Sequence, residues 1–305
     1  MPHPIKFAVV REDAEVECAL LDELPHAREA LVVASGGCTA LRLGQRFPAL
    51  HVTAFDHSAA QLAHVHAKMA AALRHDFDVL DQLNERGEFE ALFRVLRRFL
   101  TEFVVEGDEL ARYFDGEAAV VERWVASRYW PAAFAVTFND AFLQAMFGPA
   151  ATQHAAPGSY PGYFQRAFER GLRGPNGDRN PFLQHVLLGA YREADRPPAQ
   201  RLDRTPELTL LGGTLLDVPD LSRFALLSLS NVFDWSDDAL VKQWADRLRA
   251  ECSPGAVVLL RQLNNARDLR PFFGGEFRFD DARGEAMRER ERSLFYNRVE
   301  VAVRA

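Results

Sequence analysis

Short, continuous runs of apolar residues recur along the chain and are separated by longer amphipathic segments. Five of these runs predict buried strands, at residues 31–34, 51–55, 208–211, 224–229 and 256–260. Runs that are apolar at every position, rather than at alternate positions, are typical of parallel strands that are covered on both faces. Residues 295–303 alternate instead, so we expect a strand near an edge of the sheet, paired with residues 277–279.

Helical patterns lie between these strands. Residues 58–73 form an alanine-rich pattern that begins at Ser58, a residue type suited to an N-cap. Residues 237–250 carry their apolar side chains on one helical stripe. Because strands and helices alternate, we predict an α/β fold with a doubly wound, Rossmann-like sheet.

One segment, residues 74–206, is far longer than a crossover between neighbouring strands requires. Its apolar residues recur at helical spacing, and many of them are aromatic. We therefore predict a Rossmann-like domain made of residues 1–73 and 207–305, and an inserted helical cap made of residues 74–206.

Composition narrows the classes of function. The chain has 305 residues and a formal net charge of -7, and its Lys and Arg residues do not form a concentrated basic patch, so we expect no nucleic-acid partner. Its three cysteines lack C-x-x-C spacing, so we expect neither a metal site nor disulfides. The N-terminus does not resemble a signal peptide, and no apolar stretch reaches the roughly 18 residues of a membrane span. We expect a cytoplasmic protein, while the sequence leaves its oligomeric state open.

A candidate cofactor site lies where the first strand turns into a helix. Ser35, Gly36 and Gly37 allow the backbone to approach a ligand closely, and Asp56 closes the next strand, where an acid accepts hydrogen bonds from ribose hydroxyls. A dinucleotide fingerprint would need G-x-G-x-x-G, whereas this chain has Gly36, Gly37 and then Gly44. The missing pyrophosphate loop favours S-adenosylmethionine over NAD. The alternative interpretation is that Gly36 and Gly37 only form a tight turn and that Asp56 caps the helix that follows it.

Residues that follow the later strands extend this candidate site. Leu215 and Asp217 lie in a segment, residues 212–219, that resembles the one that contacts the adenine ring in class I methyltransferases. Ser230 and Asn231 end the fourth strand, at the ligand crevice expected of such sheets. Arg261 ends the fifth strand and is suited to bind a carboxylate bidentately. Its alternative role is a salt bridge to a neighbouring acid of the chain.

The predicted cap supplies the candidate catalytic residues. His154 is a candidate general base. Asn139 and Asp140 are candidate partners for the amino and carboxylate groups of the methionine arm, and Tyr160 and Tyr163 are candidates for an aromatic cage around the positive sulfur. The alternative for each of them is an ordinary structural role.

Several short motifs carry a resemblance to a known family. They are residues 35–41, Asp56 with Gln61 and Lys68, residues 147–154, residues 160–168, residues 180–182, residues 229–231, and Arg261 with Asn264. Together they resemble the BtaA-like betaine-lipid synthase family, whose members transfer the 3-amino-3-carboxypropyl arm of S-adenosylmethionine to the hydroxyl of diacylglycerol and release methylthioadenosine. The resemblance implies a class I methyltransferase fold and adds Gln61 to the cofactor-binding residues.

We therefore expect an enzyme that transfers this arm to a hydroxyl or amine, on a small-molecule or lipid-like acceptor. Three alternatives remain open. The cofactor's own amine can close the arm into azetidine-2-carboxylate, which requires no acceptor. The chain can also be a methyltransferase, which would produce S-adenosylhomocysteine, or a non-catalytic binding module.

Overall fold

A mixed β-sheet of seven strands organises residues 5–305, the part of the chain that the computed structural model describes. The strands are β1 (Glu29–Val33), β2 (His51–Asp56), β3 (Leu208–Gly212), β4 (Leu226–Ser228), β5 (Val257–Gln262), β6 (Phe277–Phe279) and β7 (Arg298–Arg304). Their order in the sheet is β3–β2–β1–β4–β5–β7–β6. Strands β1 to β5 are parallel to one another, whereas β7 runs antiparallel to both β5 and β6. The predicted α/β class and the predicted strands are confirmed.

Helices connect the strands. They are α1 (Glu15–Asp22), α2 (Cys38–Arg46), α3 (Ala59–Leu73), α4 (Phe77–Asn84), α5 (Glu88–Phe103), α6 (Glu109–Tyr113), α7 (Val120–Ala126), α8 (Trp130–Thr137), α9 (Asp140–Phe147), α10 (Tyr160–Arg173), α11 (Pro181–Leu188), α12 (Asp238–Glu251), α13 (Arg270–Phe273) and α14 (Asp281–Arg290). Ser58 caps α3 as predicted, because its side chain accepts a hydrogen bond from the Gln61 amide at 3.4 Å. Among the described residues, no helix combines the length and the apolar character needed to cross a membrane.

Both faces of the sheet are covered, which explains why the apolar residues of the strands are consecutive rather than alternating. Successive residues of a strand point to opposite faces. In β1, Leu31 packs into the core on one face, and Val32 packs into the core on the other. In β5, Val258 packs into the same core as Leu31, and Val257 packs into the same core as Val32. Burial on two sides is typical of parallel strands in α/β proteins.

The chain between β2 and β3 is largely helical and has its own aromatic core. Phe93, Trp130 and Phe134 are each at most 1% exposed within it. Phe295 and Tyr296, which precede β7, belong to the same core. The C-terminal part of the chain therefore packs against the helices that lie between β2 and β3.

An N-terminal segment without regular secondary structure, residues 5–13, runs between the sheet and these helices. Its backbone is held by buried side chains: Lys68 Nζ and His64 Nε2 lie 2.8 Å and 2.9 Å from the carbonyl oxygen of Ala8, and Glu90 accepts a hydrogen bond from the Ala8 amide at 2.9 Å. Buried backbone groups outside regular structure need such partners. The side chains of α3 and α5 thus fix the course of this segment.

Gly36 allows the N-terminal segment to pass close to the turn after β1. A Cβ atom on Gly36 would lie 2.8 Å from the carbonyl oxygen of Ala8 and 2.9 Å from the amide nitrogen of Val10. Gly37 has a φ of +80°, in the left-handed region that favours glycine. The Gly-Gly turn therefore approaches the chain's own backbone closely.

Candidate functional site

A cavity of about 520 Å³ lies beside the carboxyl ends of β1 to β4. Its wall includes Ser35 after β1, Asp56 at the end of β2, Thr214 after β3 and Ser230 after β4. Strands β2 and β4 lie on opposite sides of β1, so the strand order reverses direction at this place. Open α/β sheets bind their ligands at such a switch point, and pockets of about 300–1,000 Å³ hold one small molecule. This cavity is the candidate functional site.

Asp56 presents a carboxylate that the backbone holds in place. One oxygen accepts a hydrogen bond from the Ser58 amide at 2.9 Å, and the other accepts one from the Ser35 amide at 3.2 Å. Burial raises the pKa of this carboxyl, and the two backbone hydrogen bonds oppose the rise. Each carboxylate oxygen can accept a further hydrogen bond. Asp56 can therefore bind two neighbouring hydroxyl groups of a ligand.

Two serines beside the switch point have unusual backbone conformations. Ser35 has a φ of +44° and Ser230 a φ of +57°, in the left-handed region that is rare for residues other than glycine. Such conformations cost about 1–3 kcal/mol each and concentrate at ligand-binding sites. Both residues line the cavity. Two residues with strained backbone conformations therefore lie on the wall of a cavity that is large enough for a ligand.

Aromatic side chains form much of the remaining wall. The rings of Phe7 and Phe147 stack at a centroid distance of 5.9 Å, and Trp235 packs edge-on against Phe147 at 5.7 Å. Tyr160 and Phe164 also line the cavity. Faces of aromatic rings attract cations, and most strongly where water is excluded. The wall is suited to a ligand that is largely apolar but carries a positive charge.

Arg11, from the N-terminal segment, brings a buried guanidinium to the wall. Its Nη2 donates a hydrogen bond to Glu90 at 2.6 Å and lies 3.1 Å from Nδ1 of His185. Burial and the neighbouring Arg11 lower the pKa of His185 well below its usual value, so this imidazole stays neutral. The Nε and Nη1 atoms of Arg11 have no hydrogen-bond partner among the described residues. Both atoms are enclosed by protein, although Arg11 itself lies on the cavity wall. Unsatisfied buried donors of this kind are costly.

Glu12 places a carboxylate beside Arg11 on the same wall. It accepts hydrogen bonds from the hydroxyl of Ser230 and, at 3.4 Å, from the hydroxyl of Tyr296. Burial raises its pKa, while Arg261 at 3.5 Å acts in the opposite direction. Because Glu12 and Arg11 are adjacent, the wall offers both signs of charge.

Arg261 lies behind this wall and contacts the chain's own acids. It binds Glu17 bidentately, at 2.7 Å and 3.0 Å, and donates to Glu291 at 2.8 Å. Its side chain is fully buried and does not line the cavity. Of the two roles considered for Arg261, the structure favours the salt bridge over a direct contact with a ligand.

Gln61 and the Gly-Gly turn also lie off the cavity wall. The Gln61 side chain accepts hydrogen bonds from the amides of Lys6 and Phe7, and it donates to the carbonyls of Phe7 and Ser35. A side-chain amide can make about four hydrogen bonds, so Gln61 has no capacity left for a ligand. Its place in the structure is to hold the N-terminal segment against the turn after β1.

The residues of the segment predicted to contact adenine lie in different environments. Leu215 is completely buried in the core of the sheet. Asp217 caps a turn, where it accepts hydrogen bonds from the amide of Thr214 at 2.8 Å and from its hydroxyl at 3.0 Å. Thr214 and Gly213 lie on the cavity wall instead. Asn231 lies on the wall and donates to Asp234 at 3.3 Å.

The five candidate catalytic residues all make contacts within the chain. Asn139 caps α9, and Asp140 accepts a hydrogen bond from the Gly158 amide at 2.7 Å. His154 lies 2.9 Å from the carbonyl oxygen of Ser236. The hydroxyls of Tyr160 and Tyr163 donate to backbone carbonyls at 3.1 Å and 2.5 Å, and burial raises the pKa of both. Of the five, Tyr160 alone lines the cavity.

Several residues of the wall were missed by the sequence analysis. They are Lys6, Arg11, Glu12, Trp235 and Tyr296. One signal was available: the apolar run 7–10 is followed at once by three ionisable residues, at 11–13, which is unusual for a solvated terminus. Pairing of these charges with distant parts of the chain was not visible in the sequence.

Comparison with known proteins finds no family model, no curated protein and no solved structure that matches this chain. The function is therefore inferred from the cavity and from the short sequence motifs.

Proposed function

We propose that the chain binds S-adenosylmethionine in this cavity and uses its 3-amino-3-carboxypropyl arm, which it transfers to a hydroxyl or amine acceptor with release of methylthioadenosine. The observation that carries the proposal is that a carboxylate at the end of β2, aromatic faces and a buried guanidinium line one cavity. S-adenosylmethionine has a ribose, a sulfonium and an amino-acid end, which correspond to these three features.

The topology of the sheet supports a fold of the class I methyltransferase kind. The dinucleotide-binding Rossmann fold has the strand order 3-2-1-4-5-6. In this chain an antiparallel β7 lies between β5 and β6, which distinguishes the sheet from that fold. The helices between β2 and β3 would then form the inserted cap, since Phe147 and Tyr160 from this segment line the cavity.

The residues of the wall fit the parts of this cosubstrate. Asp56 would accept hydrogen bonds from the ribose hydroxyls, and Phe7 with Phe147 would face the sulfonium. The guanidinium of Arg11, which lies on the cavity wall, would bind the carboxylate of the arm. The Ser230 hydroxyl would lie near its amino group.

The cosubstrate supplies a carbon activated by the positive sulfur, and the chain supplies orientation and a water-poor surrounding. In the transfer, the acceptor oxygen or nitrogen bonds to the γ-carbon of the arm while the carbon–sulfur bond breaks. The bonding pair stays on sulfur, which leaves as the neutral thioether methylthioadenosine. The acceptor proton passes to a base on the wall.

Ring closure of the arm is the second candidate, and the size of the cavity favours it. A cavity of about 520 Å³ falls within the range for one ligand of drug-like size. If the cosubstrate fills it, the nucleophile nearest the γ-carbon is the amine of the same arm. The product would then be azetidine-2-carboxylate, formed without an acceptor.

Product analysis tests the proposal. The purified protein is incubated with S-adenosylmethionine, with and without an extract that supplies acceptors, and nucleosides and amino acids are identified by mass spectrometry against a protein-free control. Methylthioadenosine that forms only with the extract supports transfer, and methylthioadenosine with azetidine-2-carboxylate supports ring closure. S-adenosylhomocysteine would instead indicate methyl transfer, and binding without any product would indicate a binding module.

A further inference from the structure

A cluster of buried charges adjoins the cavity on the side of Glu12. The guanidinium of Arg261 contacts Glu17 at 2.7 Å, Glu291 at 2.8 Å and Glu12 at 3.5 Å. The side chains of all four residues are at most 7% exposed. Three carboxylates thus share one cation in a largely buried place.

The charges of this cluster do not balance when every group is ionised. One guanidinium cannot neutralise three carboxylates, and the neighbouring pair of Asp13 and Arg292 adds no net charge. Buried like charges raise the pKa of at least one member of such a group. Burial raises the pKa of Glu291 to about 7 and also raises that of Glu12. The cluster therefore holds a proton readily near neutral pH.

Glu12 is the member of this cluster that lines the cavity. We propose that Glu12 is the catalytic proton acceptor of the site, taking the proton of the attacking ammonium or hydroxyl group, while Arg261 and Glu291 position it and set its basicity. This inference rests on the proposed use of the S-adenosylmethionine arm. The titratable and charged groups that act on Glu12 directly are Arg261, Glu17 and Tyr296. Glu291 binds the same Arg261, and Asp13 with Arg292 adjoins Glu291.

The other acids near the site are less suited to this role. Asp234 accepts hydrogen bonds from the Leu263 amide at 2.7 Å and from Asn265 at 2.6 Å, and it does not line the cavity. Asp56 is assigned to the ribose by its backbone contacts. Glu12, in contrast, accepts from the Ser230 and Tyr296 hydroxyls, which can turn toward other partners when a ligand binds.

The step balances in atoms and electrons. The N–H or O–H bond of the nucleophile breaks, and its proton forms an O–H bond with a Glu12 oxygen. The freed lone pair bonds to the γ-carbon, and the carbon–sulfur pair stays on sulfur, so methylthioadenosine leaves uncharged. Glu12 then returns the proton to solvent when the products depart.

The test compares Glu12→Gln with the wild-type full-length protein. We expect methylthioadenosine release to fall by about 100-fold or more, since general bases contribute about 10²- to 10⁴-fold. S-adenosylmethionine affinity, measured by calorimetry, should stay within about fivefold, because glutamine keeps one acceptor oxygen. Glu12→Asp, which retains the carboxylate, should recover part of the rate.

The dependence of the reaction rate on pH distinguishes a catalytic role of Glu12 from a purely structural one. Glu291→Gln removes one negative charge near Glu12, so the acidic limb of the rate profile should move to lower pH. Glu300→Gln is the matched control, because Glu300 is a buried acid that binds Arg298 at 2.8 Å and does not line the cavity. Its profile should match the wild type.

Two results would overturn the inference. One is a Glu12→Gln rate within about threefold of the wild type; the other is a Glu291→Gln profile whose acidic limb stays in place. If Glu12→Gln does not fold, as judged by thermal unfolding, Glu12→Asp and Glu291→Gln decide the question. Failure of the proposed function looks different, because then the wild-type protein itself does not bind S-adenosylmethionine or does not release methylthioadenosine.

Discussion

Replacing Asp56 by asparagine tests, with a small chemical change, the proposal that the nucleoside of the cosubstrate binds at this residue. One oxygen of Asp56 accepts from the Ser58 amide at 2.9 Å, and the other accepts from the Ser35 amide at 3.2 Å. Asparagine can keep the first contact, since its carbonyl oxygen still accepts. Its NH₂ group replaces the second oxygen and can only donate. The substitution therefore removes one of the two acceptors proposed for the ribose hydroxyls.

The expected loss of affinity follows from the removal of this one hydrogen-bond acceptor. A hydrogen bond to a charged group contributes about 1.5–3 kcal/mol, and about 1.4 kcal/mol corresponds to a factor of ten in affinity. Asp56→Asn should thus weaken the binding of S-adenosylmethionine by about 10- to 150-fold. Methylthioadenosine should lose a similar factor, because it contains the same ribose.

Calorimetric titrations with methylthioadenosine and its 2′,3′-dideoxy analogue isolate the ribose contact. Wild type and Asp56→Asn should bind the dideoxy analogue with similar affinity, since neither can contact the missing hydroxyls. Asp220→Asn is the control, because Asp220 also accepts from the amide two residues ahead at 2.9 Å but lies outside the cavity. If Asp56→Asn bound methylthioadenosine within about threefold of the wild type, the ribose would not lie at Asp56.

Three further predictions concern the N-terminal segment and the charges beside it. Arg11→Lys loses the planar pair of donors, so S-adenosylmethionine should bind about tenfold more weakly or worse in a competition assay, whereas methylthioadenosine, which lacks the arm carboxylate, should bind as before. Gly36→Ala should lower the free energy of unfolding in denaturant by about 1–3 kcal/mol through overpacking, whereas Gly275→Ala, where a Cβ meets nothing within 4 Å, should not. Because burial raises the pKa of Glu291 from 4.5 to about 7, the folded state binds more protons in this interval, and stability is lost as the pH rises through it. Unfolding of Glu291→Gln should show a smaller loss of stability between pH 4.5 and 7 than the wild type, and equal slopes would contradict the assignment.

The sheet could be predicted from the sequence because its signal is local. Each parallel strand carries apolar residues that face both sides of the sheet, and helix α3 begins after a residue that caps it. Asp56 was identified as a candidate for the same reason, since an acid that directly follows a buried strand is visible without any knowledge of distant contacts. The structure places it on the cavity wall.

The charged side of the cavity could not be predicted in this way. Arg11 and Glu12 belong to a segment without regular structure, so no periodic pattern marks them. Arg261 was visible as an arginine at a strand end, but its partner Glu17 is 244 residues away in the chain. Local reasoning cannot decide between a ligand and an internal acid for such a residue, because both satisfy the same buried guanidinium.

The energetics of the buried cluster favour a functional explanation for its place in the fold. Replacing buried ion pairs with well-packed apolar residues is often neutral or stabilising by about 1–4 kcal/mol, so stability alone does not account for three acids around Arg261. Removing one partner of such a pair lowers the free energy of unfolding by about 3–5 kcal/mol. A single substitution in the cluster would therefore also destabilise the protein. Its location against the cavity, with Glu12 on the wall, is explained if the fold uses the surplus negative charge to keep a basic carboxylate beside the ligand. Under the proposed function, the N-terminal segment would then have two connected tasks, since it would bring Arg11 to the cosubstrate carboxylate and Glu12 to the proton that is removed.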